Sequence, residues 1–125
     1  MPPRYRRRTA EEIAFQREVV RALDGLPEWV RRHLENVAVV IEEEPSPEDK
    51  QGMEEGLYAL YQGVPLGVEP GPFALPARII LYRRPLIEDY GRGTRLRREI
   101  RRTIIHEVGH HFGMSEEDIA RRGYD

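Results

Sequence analysis

The apolar residues of this chain change their spacing twice. From residue 10 to 24 they recur at helical intervals, with Ile13, Val20 and Leu23 on one line and Phe15, Val19 and Ala22 beside it. Thr9 stands where an N-cap belongs, and Glu12 falls three residues on, the spacing of a capping box. Asp24-Gly25 predicts the stop. Pro27 opens a short second helix carrying Trp29, Val30 and Leu34. The pattern then turns to short apolar runs. Residues 36–43 (N-V-A-V-V-I-E-E), 57–61 (L-Y-A-L-Y) and 78–82 (R-I-I-L-Y) predict three strands. Residues 42–50 are acidic and proline-bearing, Gln62-Gly63-Val64-Pro65 turns the chain, and 67–76 read as an irregular loop rich in glycine and proline.

Helical spacing returns with Leu96, Ile100, Ile104, Val108, His111 and Phe112 on one stripe. The helix is expected from Thr94, as N-cap, to Phe112, with Gly113 as its left-handed ending. Ser115 then caps a last short helix, with Asp118 at the capping-box position. Helices, strands, then helices in sequence order predict one α+β domain over residues 9–125. Residues 1–8, rich in arginine and proline, read as a basic arm laid loosely on the surface.

Composition narrows the function. A chain of 125 residues with 39% hydrophobic residues supports one core and not two. Charged residues make up 34%, yet the net charge is −2, so the overall balance calls for no polyanionic partner. Arg95, Arg97, Arg98, Arg101 and Arg102, with the N-terminal arm, are a candidate nucleic-acid surface. They share a helix that must bury one side, and the 22 acidic residues outnumber the 20 basic ones, so that reading is disfavoured. No apolar run approaches the length of a membrane span, and no apolar segment follows the arginine-rich start. The expectation is a soluble cytoplasmic protein with no membrane partner. Cysteine is absent, so a transition-metal site must draw on His, Asp or Glu.

His106 to His110 read H-E-V-G-H. Positions i and i+4 of a helix share a face, so two imidazoles there can close on one ion. Glu107 sits one step round the helix, the placement of a general base acting on a metal-bound water. Catalytic zinc keeps three protein ligands and an open position, so a third ligand is required. The chain continues as H-x-x-G-x-x-E to Glu116. Gly113 can swing the backbone back, which makes Glu116 the leading third ligand. Glu117 and Asp118 are substitutes, Asp118 ranking second because of its capping role. His111 reads as a hydrogen-bonded core residue on the apolar stripe, with contact to the site as the lesser alternative, and His33 reads as a surface residue.

These residues resemble a family. H-E-V-G-H-H-F-G-M-S-E is similar to the extended metzincin signature H-E-x-x-H-x-x-G-x-x-H, with Glu116 where the third histidine stands. L-D-G-L-P, N-V-A-V-V-I-E-E-E-P, L-Y-A-L-Y-Q-G-V-P-L, A-L-P-A-R-I-I-L-Y-R and T-I-I-H-E-V-G-H-H-F-G extend the resemblance over residues 15–120, to the minimal zincins, small bacterial zinc metallopeptidases of the Zincin_1 type. The resemblance implies a small mixed sheet packed on an active-site helix. It also implies a His, His, carboxylate zinc site (the family commonly has aspartate at the position of Glu116) and a peptide or protein substrate. In zincins an exposed edge strand binds the substrate, a role open here to residues 78–83 or 57–61. Tyr61 and Tyr124 are conceivable oxyanion donors. The methionine turn that floors the larger metzincin sites has no counterpart after Glu116, and Met114 lies inside the ligand loop. A non-catalytic zinc- or partner-binding module on the same scaffold is the alternative function.

Overall fold

A computed structural model describes residues 7–50, 57–63, 69, 71–72 and 76–122. The expected arm before Arg7, the turn at Val64-Pro65, most of the 67–76 loop and Tyr124 lie outside the described residues.

Helix α1 spans Ala10–Asp24. The Thr9 hydroxyl accepts the Glu12 N–H at 3.1 Å, and Gly25 closes the other end. The buried line is Phe15, Val19 and Ala22, whereas Ile13 and Val20 face solvent. The helix is therefore rotated from the stripe that Ile13 and Val20 suggest. Helix α2, Glu28–His33, follows Pro27 and buries Val30.

Three strands form one mixed sheet: β1 (Val37–Glu42), β2 (Ala59–Gln62) and β3 (Ala77–Tyr82), in the order β1-β3-β2. β1 runs parallel to β3 and β2 antiparallel to it. Residues Ile79 to Tyr82 are all buried, the mark of a strand covered on both faces and both edges. This corrects one expectation. The 78–83 segment is central and cannot offer a free edge; the edges are β1 and β2.

Helix α3, Arg83–Tyr90, follows β3 without a loop and is a helix the sequence pattern does not predict. Pro85 falls in its first turn, where a missing N–H costs no hydrogen bond, and Leu86 is fully buried. Gly91 and Gly93, at φ 72° and 76°, then reverse the chain into helix α4, Thr94–His111. Gly93 is the N-cap and Thr94 the first helical residue, not the cap expected. α4 crosses the domain centre. Leu96, Ile100, Ile104, Ile105 and Val108 are buried, and the helix packs on α1, α2, α3, β2 and the last helix, α5 (Glu116–Arg121). The fold is α+β, as expected. Among the described residues no helix is long and apolar enough to cross a membrane.

Candidate metal centre

The end of α4 fixes the site. Gly113 adopts φ 80°, open to glycine at little cost. Its N–H bonds the His110 carbonyl at 3.0 Å, and the Met114 N–H bonds the Gly109 carbonyl at 2.8 Å, which together form a Schellman ending. Ser115 then starts α5 with a complete capping box. Its hydroxyl accepts the Asp118 N–H at 3.1 Å, and the Asp118 carboxylate accepts the Ser115 N–H at 3.0 Å. The two local motifs occupy the short stretch between His110 and Glu116 and turn the first residue of α5 back onto α4.

Glu116 bridges both histidines. One carboxylate oxygen lies 2.9 Å from His106 Nδ1 and the other 2.8 Å from His110 Nε2. One ligand atom from each of the three residues lies within 4.8 Å of the other two. Partial burial acts to raise the Glu116 pKa, but hydrogen bonds and charge from the two imidazoles outweigh it and hold the carboxyl below its usual range. Of the substitutes, Asp118 is committed to its cap and Glu117 pairs with Arg121 at 3.1 Å. Among the described residues, only Glu116 joins the histidine pair.

Two imidazoles and a carboxylate suit zinc. Tetrahedral bonds of about 2.0–2.2 Å separate ligand atoms by roughly 3.4 Å, so an ion fits after a small outward movement of Glu116, an exposed side chain. On His106 the nitrogen that faces the carboxylate is Nδ1, while Nε2 is buried and among the described residues has no hydrogen-bond partner. The fit of these residues to a metal ion is therefore good.

Glu107 shares a cleft of about 320 Å³ with His106 and His110, and Leu57, Tyr58, Ala59, Tyr90 and Arg102 help to line it. Glu107 Oε1 accepts the backbone N–H of Tyr61, on β2, at 2.9 Å. The Tyr61 ring, whose hydroxyl is a conceivable oxyanion donor, stacks on His111, centroids 3.7 Å apart at 26°. His111 is half-buried on that ring, and among the described residues its side chain makes no hydrogen bond, unlike the core residue expected. His33 is likewise no free surface group. Its Nδ1–H donates to the Trp29 carbonyl at 2.6 Å, and its ring packs edge-on against Phe112 at 4.0 Å. Met114 packs against the core beside Gly109.

Sequence reasoning misses two contributors. Tyr61 supplies a backbone group, which carries no residue signature. Gly109 supplies space, and has a signal: glycine inside a helix costs about 1 kcal/mol, so its presence there points to a close approach.

The profile of the zincin-like metallopeptidases matches residues 34–124, well over half of the chain. A solved structure, described as a conserved hypothetical protein from Thermo thermophilus, is similar at 30% identity with a TM-score of 0.53. The match covers 88% of this chain and 97% of that one. No curated protein matches.

Proposed function

This chain belongs to the zincin-like metallopeptidase family, and we propose that it is a zinc-dependent peptidase in which His106, His110 and Glu116 hold the metal and Glu107 is the general base. One observation carries the proposal. Glu107 stands outside the ligand group but beside it, with its carboxylate tethered to β2 through the Tyr61 N–H. A metal that only braces a fold has no use for a carboxylate held next to it.

When bound, zinc supplies Lewis-acid activation of a water and of the substrate carbonyl. Glu107 removes the proton of the attacking water and returns it to the leaving amine. Tyr61 fixes one of its oxygens, so the other handles the proton. An extended peptide lies along β2. The Tyr58 carbonyl accepts the Tyr82 N–H of β3, so by alternation the backbone groups of Leu57 and Ala59 point away from the sheet, into the cleft they line. The cleft beside Glu107 is shallow and open to water, so turnover of generic peptides is slow.

The test is cleavage of a diverse peptide library by wild type and Glu107→Gln at equal zinc occupancy. Glu107→Gln retains zinc and loses turnover by a factor on the order of a hundred or more. Equal rates overturn the assignment of Glu107. Absence of cleavage by both variants favours the second reading, a zinc- or partner-binding module, which the small open cleft supports.

A further inference from the structure

We infer that His111 is a positioning residue for Glu107 and acts through Tyr61. On α4, Glu107 and His111 are one turn apart and share a face. Tyr61 spans that interval. Its backbone N–H holds the Glu107 carboxylate, and its ring lies flat on the His111 imidazole. One residue of the sheet is thus docked on the active-site helix at two points, and the carboxylate is one of them.

Both partners of this stack have further neighbours. The tyrosine ring passes close to Gly63, where a Cβ would fall 3.0 Å from Tyr61 Cε1, 3.2 Å from its hydroxyl and 2.9 Å from the Ala77 Cβ. Behind the imidazole, Phe112 meets it edge-on at 5.1 Å and is itself backed by His33. With the stack intact, the Tyr61 N–H keeps one position relative to α4, and Glu107 is held to one rotamer. Without it, the hydrogen bond from the Tyr61 N–H to Glu107 loses its companion contact one turn along α4, and the Glu107 side chain has other rotamers. His106 and His110 project from the same helix toward Glu116, not toward the Tyr61 ring, so metal binding is independent of the stack.

The kinetic part of this inference rests on the peptidase reading; the structural part does not. The experiment compares zinc-loaded wild type, His111→Ala and His111→Phe. Hydrogen exchange at the Tyr61 amide is read by NMR, and kcat and KM are measured on any peptide the wild type cleaves. Phenylalanine keeps an aromatic face for stacking but has no ring nitrogen. In His111→Ala the Tyr61 amide exchanges at least about tenfold faster, as the local opening becomes easier. kcat falls by about ten- to a hundredfold, the scale of a misplaced reacting group, with KM and zinc stoichiometry held within about twofold. His111→Phe restores both the exchange rate and kcat. A residue that merely supported the fold would move KM, zinc content and kcat together. If His111→Ala does not fold, Tyr61→Leu removes the stack from the other side, keeps the N–H, and is read by loss of kcat at unchanged KM. Unchanged Tyr61 exchange in His111→Ala overturns the inference, as does His111→Phe behaving like His111→Ala. If the wild type cleaves nothing, the peptidase reading falls, and the amide exchange alone decides the role of His111.

Discussion

Ile119 occupies the space where a side chain on Gly109 would begin: a Cβ there lies 2.7 Å from Ile119 Cδ1 and 3.0 Å from its Cγ1. Ile119 is fully buried, on α5, one turn beyond Glu116. The bare helix surface inside H-E-V-G-H therefore lets α5 approach closely enough for Glu116 to reach both histidines. Gly109→Ala improves helix propensity by about 1 kcal/mol but overpacks a closed site, at about 1–3 kcal/mol. We expect a net loss of stability and a zinc affinity lowered by about tenfold as α5 moves out. Gly109→Ala with Ile119→Val makes room and recovers most of both. Thermal melts and competition with a chromophoric chelator measure this; unaltered affinity in Gly109→Ala would show that Glu116 is placed by other contacts.

Glu116 and Asp118 are near neighbours on α5 and have different duties. Glu116→Ala removes a group that touches both imidazoles and is expected to weaken zinc binding at least tenfold. Asp118→Ala removes only one side of the capping box, so α5 frays but affinity stays within a few-fold. Zinc titrations of the two variants compare them directly. The reverse order would move the third ligand to Asp118.

The parts of this picture that are legible in the sequence are local, and the hidden parts are not. His106 and His110 are one helical turn apart, and Glu116 follows through Gly113 and the Ser115 cap. Each step is fixed within a few residues, so spacing and turn chemistry suffice. Glu107 and Tyr61 are 46 residues apart, and their bond uses a backbone group. Which strand is central depends on β1 crossing to pair with β3, and a run such as R-I-I-L-Y fits an edge or a centre until its neighbours are known. α3 begins directly after β3, with no loop residues to separate the two. On α1 the apolar residues cover more of the helix than the core accepts, so Ile13 and Val20 match the period and still end in solvent.

The ion pair between α1 and α4 gives the protein an acid-sensitive seam. Arg97 Nε donates to Glu18 at 2.8 Å, and this hydrogen bond, opposed by partial burial and aided by the charges of Arg97 and Arg21, holds the Glu18 carboxyl below its ordinary value of 4.5. A depressed folded pKa contributes stability above the unfolded value and loses it as pH falls through the folded one. Glu18→Gln is thus expected to melt lower than wild type at pH 7, with the gap narrowing below about pH 4.5 and closing once the wild-type carboxyl is protonated. Other acid-titrating groups are common to both proteins and cancel in the difference. Paired melting curves from neutral pH down to about pH 2.5, below the usual carboxylate range, test it. A gap that is constant with pH would assign the effect to packing.

Removing the metal is expected to lower the melting temperature without abolishing the cooperative transition. The proposed ligands join α4 to α5 only. The principal core lies elsewhere. Phe15, Val30, Ile79, Leu81, Leu86, Leu96, Ile100 and Ile104 are fully buried and tie α1, α2, α3 and α4 to the sheet through apolar contacts that involve no ligand. Their burial is worth about 1.5–3 kcal/mol per side chain before the entropy of ordering is subtracted, a source of stability that chelation leaves intact. Zinc adds to it by mass action, about 2.7 kcal/mol when free metal stands at a hundred times its Kd. For a domain of this size that is a shift of roughly ten degrees. The loss is expected to concentrate at α5, where the apo state leaves Glu116 and the histidines without their common partner while Ile119 remains packed on Gly109. Scanning calorimetry with and without a chelator, paired with amide exchange across residues 106–121, measures both the size and the place of the effect. Complete loss of the transition on chelation would mean that the apolar core alone does not hold the fold and that the metal is a structural requirement.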